Sequence, residues 1–146
     1  MRWSRYAALA LALGLPACSE TGIEVVDLVG VWDASKFEFE ETTGDPVVTV
    51  DLITMNFTVT IEISEGGTFE ITTTFLGGEP QVESGTWVLE GGDLLVMTAS
   101  GETVGEEFDV TLEGTTLTVR SNDLTFDFDD DGTDEPALFE AILEKR

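Results

Sequence analysis

The residues with the most evident chemistry form an acidic run near the C-terminus, Asp127-Phe128-Asp129-Asp130-Asp131-Gly132-Thr133-Asp134-Glu135. Aspartate at the first, third and fifth places, followed by glycine, is how a calcium loop begins. A hard cation needs several carboxylate oxygens on a chain that can turn sharply. Asp127, Asp129 and Asp131 would supply those oxygens, and the Thr133 carbonyl and Glu135 would add to them. The twelfth place holds Leu138, where a helix-loop-helix calcium site carries a bidentate glutamate. The flanks also alternate like strands. The expectation is a looser calcium site on a hairpin, set against a plain solvated acidic turn. Other chemistry lacks its parts. The chain contains no histidine, so no serine or threonine has an imidazole to activate it. Carboxylate pairs abound but none is singled out, and the features that mark an active site are missing. The chain reads as a non-enzyme, with calcium as the only cofactor expected.

The second chemical feature is Cys18, the only cysteine. Arg2 and Arg5 open the chain, Ala7 to Leu15 is apolar, and small residues lead to the cysteine. That order is a secretory signal peptide, and the apolar stretch is far shorter than the roughly 20 residues a membrane span needs. Leu15-Pro16-Ala17-Cys18 resembles the lipobox of bacterial lipoproteins, although Pro16 is an unusual occupant. The resemblance implies cleavage after residue 17 and acyl chains such as palmitate on Cys18. It also implies sorting to the outer membrane, because Ser19 follows the cysteine. A lone cysteine in an exported chain is thereby explained without a disulfide, so stability must come from a core. Residues 1–17 are the expected signal peptide, 18–27 the lipidated N-terminus and tether, and 28–146 the folded domain.

Charge narrows the partners. Loss of residues 1–17 removes two arginines and no acid, so the formal charge moves from -24 to -26, with Lys36, Arg120, Lys145 and Arg146 the remaining basic side chains. Nucleic acid needs clustered Lys and Arg to displace counterions, and so does attachment to anionic headgroups. Both are excluded. Attachment to the membrane falls to the acyl chains. Acidic chains are often disordered, but 42% apolar residues, including nine phenylalanines, suffice here for one core. The oligomeric state cannot be read from these features.

The elements that must position these residues are strands. Phe57, Val59, Ile61 and Ile63 alternate with polar residues, and so do Phe69, Ile71, Thr73 and Phe75. Trp87 with Leu89, Phe108 with Val110 and Leu112, Leu117 with Val119, and Leu124 with Phe126 and Phe128 continue the pattern. Period two with aromatic and β-branched residues marks strands with one buried face. Glu65-Gly66-Gly67, Gly77-Gly78-Glu79-Pro80, Glu90-Gly91-Gly92-Asp93, Glu113-Gly114-Thr115 and Ser121-Asn122-Asp123 punctuate them. Connections this short force antiparallel pairing. The expected fold is all-β, an up-and-down meander of about eight to ten strands closing into a barrel or half-barrel to remove its edges. Val47 to Met55 is nearly all apolar and reads as a buried strand or as a flap over the barrel mouth. Pro136 to Lys145 fits both a helix and a strand, and the preceding turn favours a last strand.

Gly30-Val31-Trp32 at the start of the first long strand is similar to the Gly-x-Trp that opens lipocalins. Thr68-Phe69-Glu70-Ile71, then Ser84-Gly85-Thr86-Trp87, then Thr116-Leu117-Thr118-Val119, follow in an order that resembles bacterial lipocalin-like domains on lipoproteins. The resemblance covers about Leu28 to Arg120. It implies a barrel with Trp32 at its closed end and an arginine packed over it, for which Arg120 is the candidate. The Thr-Asp-Tyr signature of lipocalins is missing from the middle of the chain. Two functions stay open. One is a carrier for a small apolar or amphipathic ligand, with Phe57, Phe69, Phe75, Phe108 and Phe126 lining a cavity approached past Val47, Leu52, Ile53 and Met55. The other is a structural or interaction module with a solid core, displayed on the cell envelope. A cavity of at least about 300 Å³ separates them.

Overall fold

The computed structural model describes residues 22–146. Residues 1–21 lie outside the described residues, and with them Cys18 and the cleavage site. A four-residue helix α1 (Val25–Leu28) precedes β1 (Gly30–Glu41), β2 (Thr49–Asp51), β3 (Phe57–Ile63), β4 (Thr68–Phe75), β5 (Gln81–Glu90), β6 (Leu94–Ala99), β7 (Glu106–Glu113), β8 (Thr116–Phe126) and β9 (Glu135–Lys145). Every pairing is antiparallel, as the short turns require. β1 and β3 to β9 follow one another around the sheet, and β9 returns to β1, so eight strands close a barrel. β2 is extra and pairs only with the far end of β1. The sequence Pro136 to Lys145 is strand, with Ala137, Phe139, Ala141 and Leu143 turned inward and buried.

The two ends differ. The turns β3–β4, β5–β6 and β7–β8 lie at the end where β1 begins. There α1 plugs the opening with Leu28, which is fully buried. Gly67 and Gly114 sit at φ 80° and 63° in two of these turns, a region that glycine enters without steric cost. Gly22 to Asp27, expected to be part of a loose tether, joins the body here: the Ile23 amide donates to the Gly92 carbonyl at 2.9 Å, and Ile23 packs on the core.

The core is one cluster built from the inward faces of all eight barrel strands. Of the alternating residues, Val59, Ile61, Ile63, Phe69, Trp87, Phe108, Val110, Leu117 and Val119 are buried. Ile71 and Leu89 pack at its margin. Phe75 departs from this pattern, with 48% of its surface exposed. The register gives the reason. β1 pairs with β3 only from Gly30/Ile63 to Asp33/Thr60, and β4 pairs with β5 only as far as Thr73. The far end of β4, with Phe75, therefore overhangs the rim beyond the last pairing with β5.

Val47–Met55 is neither a buried strand nor a lid. β2 extends β1 along Glu38–Glu40. The following turn then bridges to β3: Leu52 donates to the Phe37 carbonyl at 2.9 Å and Phe57 to the Leu52 carbonyl at 3.0 Å. The segment thus fills the gap where β1 and β3 part. Val47 and Met55 are about half exposed and Ile53 packs on the core.

Candidate functional site

Among the described residues, three places hold chemical potential: the acidic loop, the interior with its mouth, and the closed base. The acidic loop joins β8 to β9 at the rim. Asp127, Asp129 and Glu135 each bring a carboxylate oxygen within 4.8 Å of the others. Asp131 does not join them. Its backbone N–H donates to Asp127 and Asp129, each at 3.2 Å, while its own carboxylate accepts from the Thr133 amide at 2.8 Å. The Gly132 amide donates to Asp127 at 2.9 Å and the Phe128 amide to Glu135 at 3.0 Å. Asp130 and Gly132 take φ of 58° and 85°, which folds the loop back over the Asp127 carboxylate. Three acids aimed at one point, each also holding at least one backbone amide, can accept a hard cation. The loop is exposed, so water screens their repulsion.

The interior is dominated by aromatic rings that are not the expected pocket set. Phe139 lies 4.9 Å from Phe37, 5.1 Å from Phe39 and 5.9 Å from Phe108, centroid to centroid. Phe39 stacks on Phe126 at 4.5 Å, and Phe126 meets Phe128 at 5.0 Å. Of the expected lining residues, Phe108 and Phe126 belong to this cluster. Phe57 and Phe75 form their own pair at the rim, 4.8 Å apart. Val47, Leu52, Ile53 and Met55 flank β1 and β3 at the rim, where Ile53 packs on the core and Val47 and Met55 are about half exposed. Ala137 and Ala141 leave room for the rings, and both are 1% exposed.

A cleft reaches inward from the mouth between β5, β6 and β7. Its volume is about 90 Å³, and Phe69, Met97, Ala99 and Phe108 form its apolar wall. Glu83 and Glu106 close it from above. Burial, helped by the neighbouring Glu83 carboxylate, raises Glu106 above the ordinary carboxylate range. A larger depression of about 560 Å³ lies across β3 to β6, but hydroxyls and acids such as Ser84, Thr86, Thr98, Glu62 and Glu70 line it. Those residues alternate with the buried ones, so it belongs to the outer face.

At the base Trp32 is fully buried and donates from its indole nitrogen to the Leu28 carbonyl at 2.8 Å. The cation over its ring is Lys145, 5.1 Å from the centroid, which also donates to the Asp27 carbonyl at 2.9 Å. Gly30 makes this possible, since a Cβ there would lie 2.8 Å from Lys145 Cε. Arg120 is not the closing residue. It alternates with Val119 and Ser121, both buried, so its side chain lies on the outside and pairs with Glu140 at 2.6 Å. Lys36 meets Glu140 and Glu38 there, each at 2.8 Å. These cations, Lys36 first and then Arg120, hold Glu140 below the usual carboxylate range. Such partly exposed pairs are worth little each. Beside Trp32 at the base end of β1, Arg146 grips Asp33 with two nitrogens at 2.6 and 2.7 Å and lowers its pKa.

Sequence reasoning passed over Phe37, Phe39 and Lys145. The two phenylalanines alternate with each other, but a bulge between Ala34 and Lys36 changes their parity relative to Trp32. The bulge leaves no mark in the residue types. No protein-family model matches this chain, and a search of curated proteins finds no relative.

Proposed function

We propose that this protein is a lipid-anchored module of the bacterial cell envelope, held by acyl chains on Cys18, whose solid-cored barrel displays its rim and acidic loop to other molecules. The observation that carries the reading is the narrow space and the close-set aromatic rings inside the barrel among the described residues. The inward cleft of about 90 Å³ falls well below the roughly 300 Å³ at which small-molecule sites begin, and side chains alone can fill an eight-stranded barrel. The signal-peptide order and Leu15-Pro16-Ala17-Cys18 support the anchoring. The missing imidazole and the absence of any distinguished carboxylate pair support a non-catalytic role.

The acidic loop supports calcium as an ancillary ligand, held by Asp127, Asp129 and Glu135. Its binding is weak, toward the 10⁻⁴–10⁻³ M end of extracellular modules, because three acids alone form an incomplete shell. A ligand carrier is the second reading. The observation in its favour is the apolar rim, where Phe75 and Met55 are 48% and 49% exposed beside Phe57. The test has two arms. Replacing Cys18 with Ala should move the protein from the membrane to the soluble fraction or leave it uncleaved; unchanged processing and membrane binding would remove the anchor. Titration with apolar fluorescent probes should give no saturable signal. A tight one-to-one signal would select the carrier.

A further inference from the structure

The described residues begin at the closed base. There Ile23 is hydrogen-bonded to the turn between β5 and β6, and α1 follows at once. One side of α1 buries Leu28 completely, while Val25 and Val26 on the other are 48% and 68% exposed. With Val29 they form an apolar depression of about 530 Å³ bordered by Glu24 and Glu65. Nothing in the fold requires two exposed valines on a four-residue helix whose plugging residue is Leu28.

We infer that this base rests on the bilayer, with Val25 and Val26 inserted into a zwitterionic lipid surface and the rim turned away from it. The inference rests on the anchoring of Cys18. Chain length argues for this occupant: Cys18 stands four residues before Gly22, and four residues span at most about 14 Å. An acylated Cys18 therefore holds this end of the barrel at the membrane and no other. Charge selects the lipid. Glu24 and Glu65 beside the valines oppose an anionic surface. Lys145 and Arg146, two of the four basic side chains of the chain after residue 17, are at this end but occupied. Lys145 donates to the Asp27 carbonyl and Arg146 pairs with Asp33. The contact is therefore apolar, made with neutral headgroups and the upper acyl chains, as in interfacial helices. The β8–β9 connection lies at the opposite end of the barrel from the β3–β4 and β5–β6 turns, so the acidic loop projects into solvent.

The test places a reporter at each end of the acylated full-length protein. Val26→Cys and Leu76→Cys each add one thiol, and acylation of Cys18 leaves that thiol as the only labelling site. Leu76 is the rim control, 68% exposed like Val26. Each protein carries one fluorescent label and is reconstituted into phosphatidylcholine vesicles with and without a lipid-borne quencher. Flotation of the vesicles reports anchoring separately. Severalfold stronger quenching at position 26 than at position 76 is the expected result. Equal quenching on floating vesicles would overturn the orientation and leave the anchor standing. A protein that does not float would overturn the anchor, and the orientation with it.

Discussion

Replacing Phe139 with Ala tests the solid core where it is densest. Phe139 is 7% exposed and meets the rings of Phe37, Phe39 and Phe108 at 4.9, 5.1 and 5.9 Å. Losing a buried phenylalanine side chain forfeits about 1.5–3 kcal/mol of transfer free energy. Truncations of this kind in packed cores cost about 3–5 kcal/mol in all. The difference, roughly 1–2 kcal/mol, corresponds to about 40–80 Å³ of unfilled space at about 24 cal/mol per Å³. That void would open beside Phe108, which also walls the 90 Å³ cleft. Merged, the two approach the size at which an engineered apolar cavity of about 150 Å³ takes up benzene. The assay is urea unfolding of residues 22–146 with and without Phe139→Ala, at unchanged slope, repeated in benzene-saturated buffer. The midpoint should fall by about 1–5 M, given slopes of about 1–3 kcal/mol per M, and benzene should restore part of the loss in the variant only. A loss below about 1 kcal/mol would mean that the rings surround space rather than fill it, and the solid-core reasoning would fail.

Three further outcomes follow from the charges. Glu106 is raised above 4.5 by burial and by Glu83, so the native state binds its proton more tightly than the unfolded chain. Stability should fall as pH rises from about that value through the folded pKa, and Glu106→Gln should be the more stable protein above this window and lose its advantage below it; chemical melts across pH that show parallel curves would refute the assignment. Asp33, lowered chiefly by its hydrogen bond from Arg146, has the opposite sign: its contribution is present above the unfolded pKa and lost on acidification, so Asp33→Asn should flatten the acid limb of the stability curve. Millimolar calcium at matched ionic strength should raise the melting temperature of the parent protein but not of an Asp127→Asn, Asp129→Asn variant; equal responses in both would reduce the loop to a solvated turn.

The alternation of apolar residues carried most of the architecture. Val59-Ile61-Ile63 and Phe108-Val110 read as inward faces because an antiparallel strand buries every second side chain, and they are buried. Closure of the meander was legible for a similar reason, since short glycine turns leave a long sheet no other means of hiding its edges. What the pattern could not convey was pairing length. Phe75 obeys the alternation of β4, yet the ladder to β5 ends at Thr73, so an inward-facing position became a rim. Parity across a bulge was hidden as well, which removed Phe37 and Phe39 from the expected interior. At the base Trp32 is buried and Gly30 lies against Lys145, so the cation over the ring comes from β9. Lys145 and Arg120 are equally basic as letters, and only the register of β8 and β9 against β1 places one at the indole and the other outside. In the acidic loop Asp127, Asp129 and Glu135 cluster, while Asp131 turns its carboxylate to the Thr133 amide, a choice made by the backbone path of the loop and not by the spacing of the aspartates.

Native mass spectrometry of the protein taken from its own membranes tests the central claim most directly. The account predicts a chain that begins at Cys18, carries covalent acyl mass at that residue, and brings no small molecule with it under conditions that preserve noncovalent complexes. A chain that retains residues 1–17 or a free Cys18 thiol would contradict the anchor. A stoichiometric small apolar adduct released on unfolding would contradict the solid core.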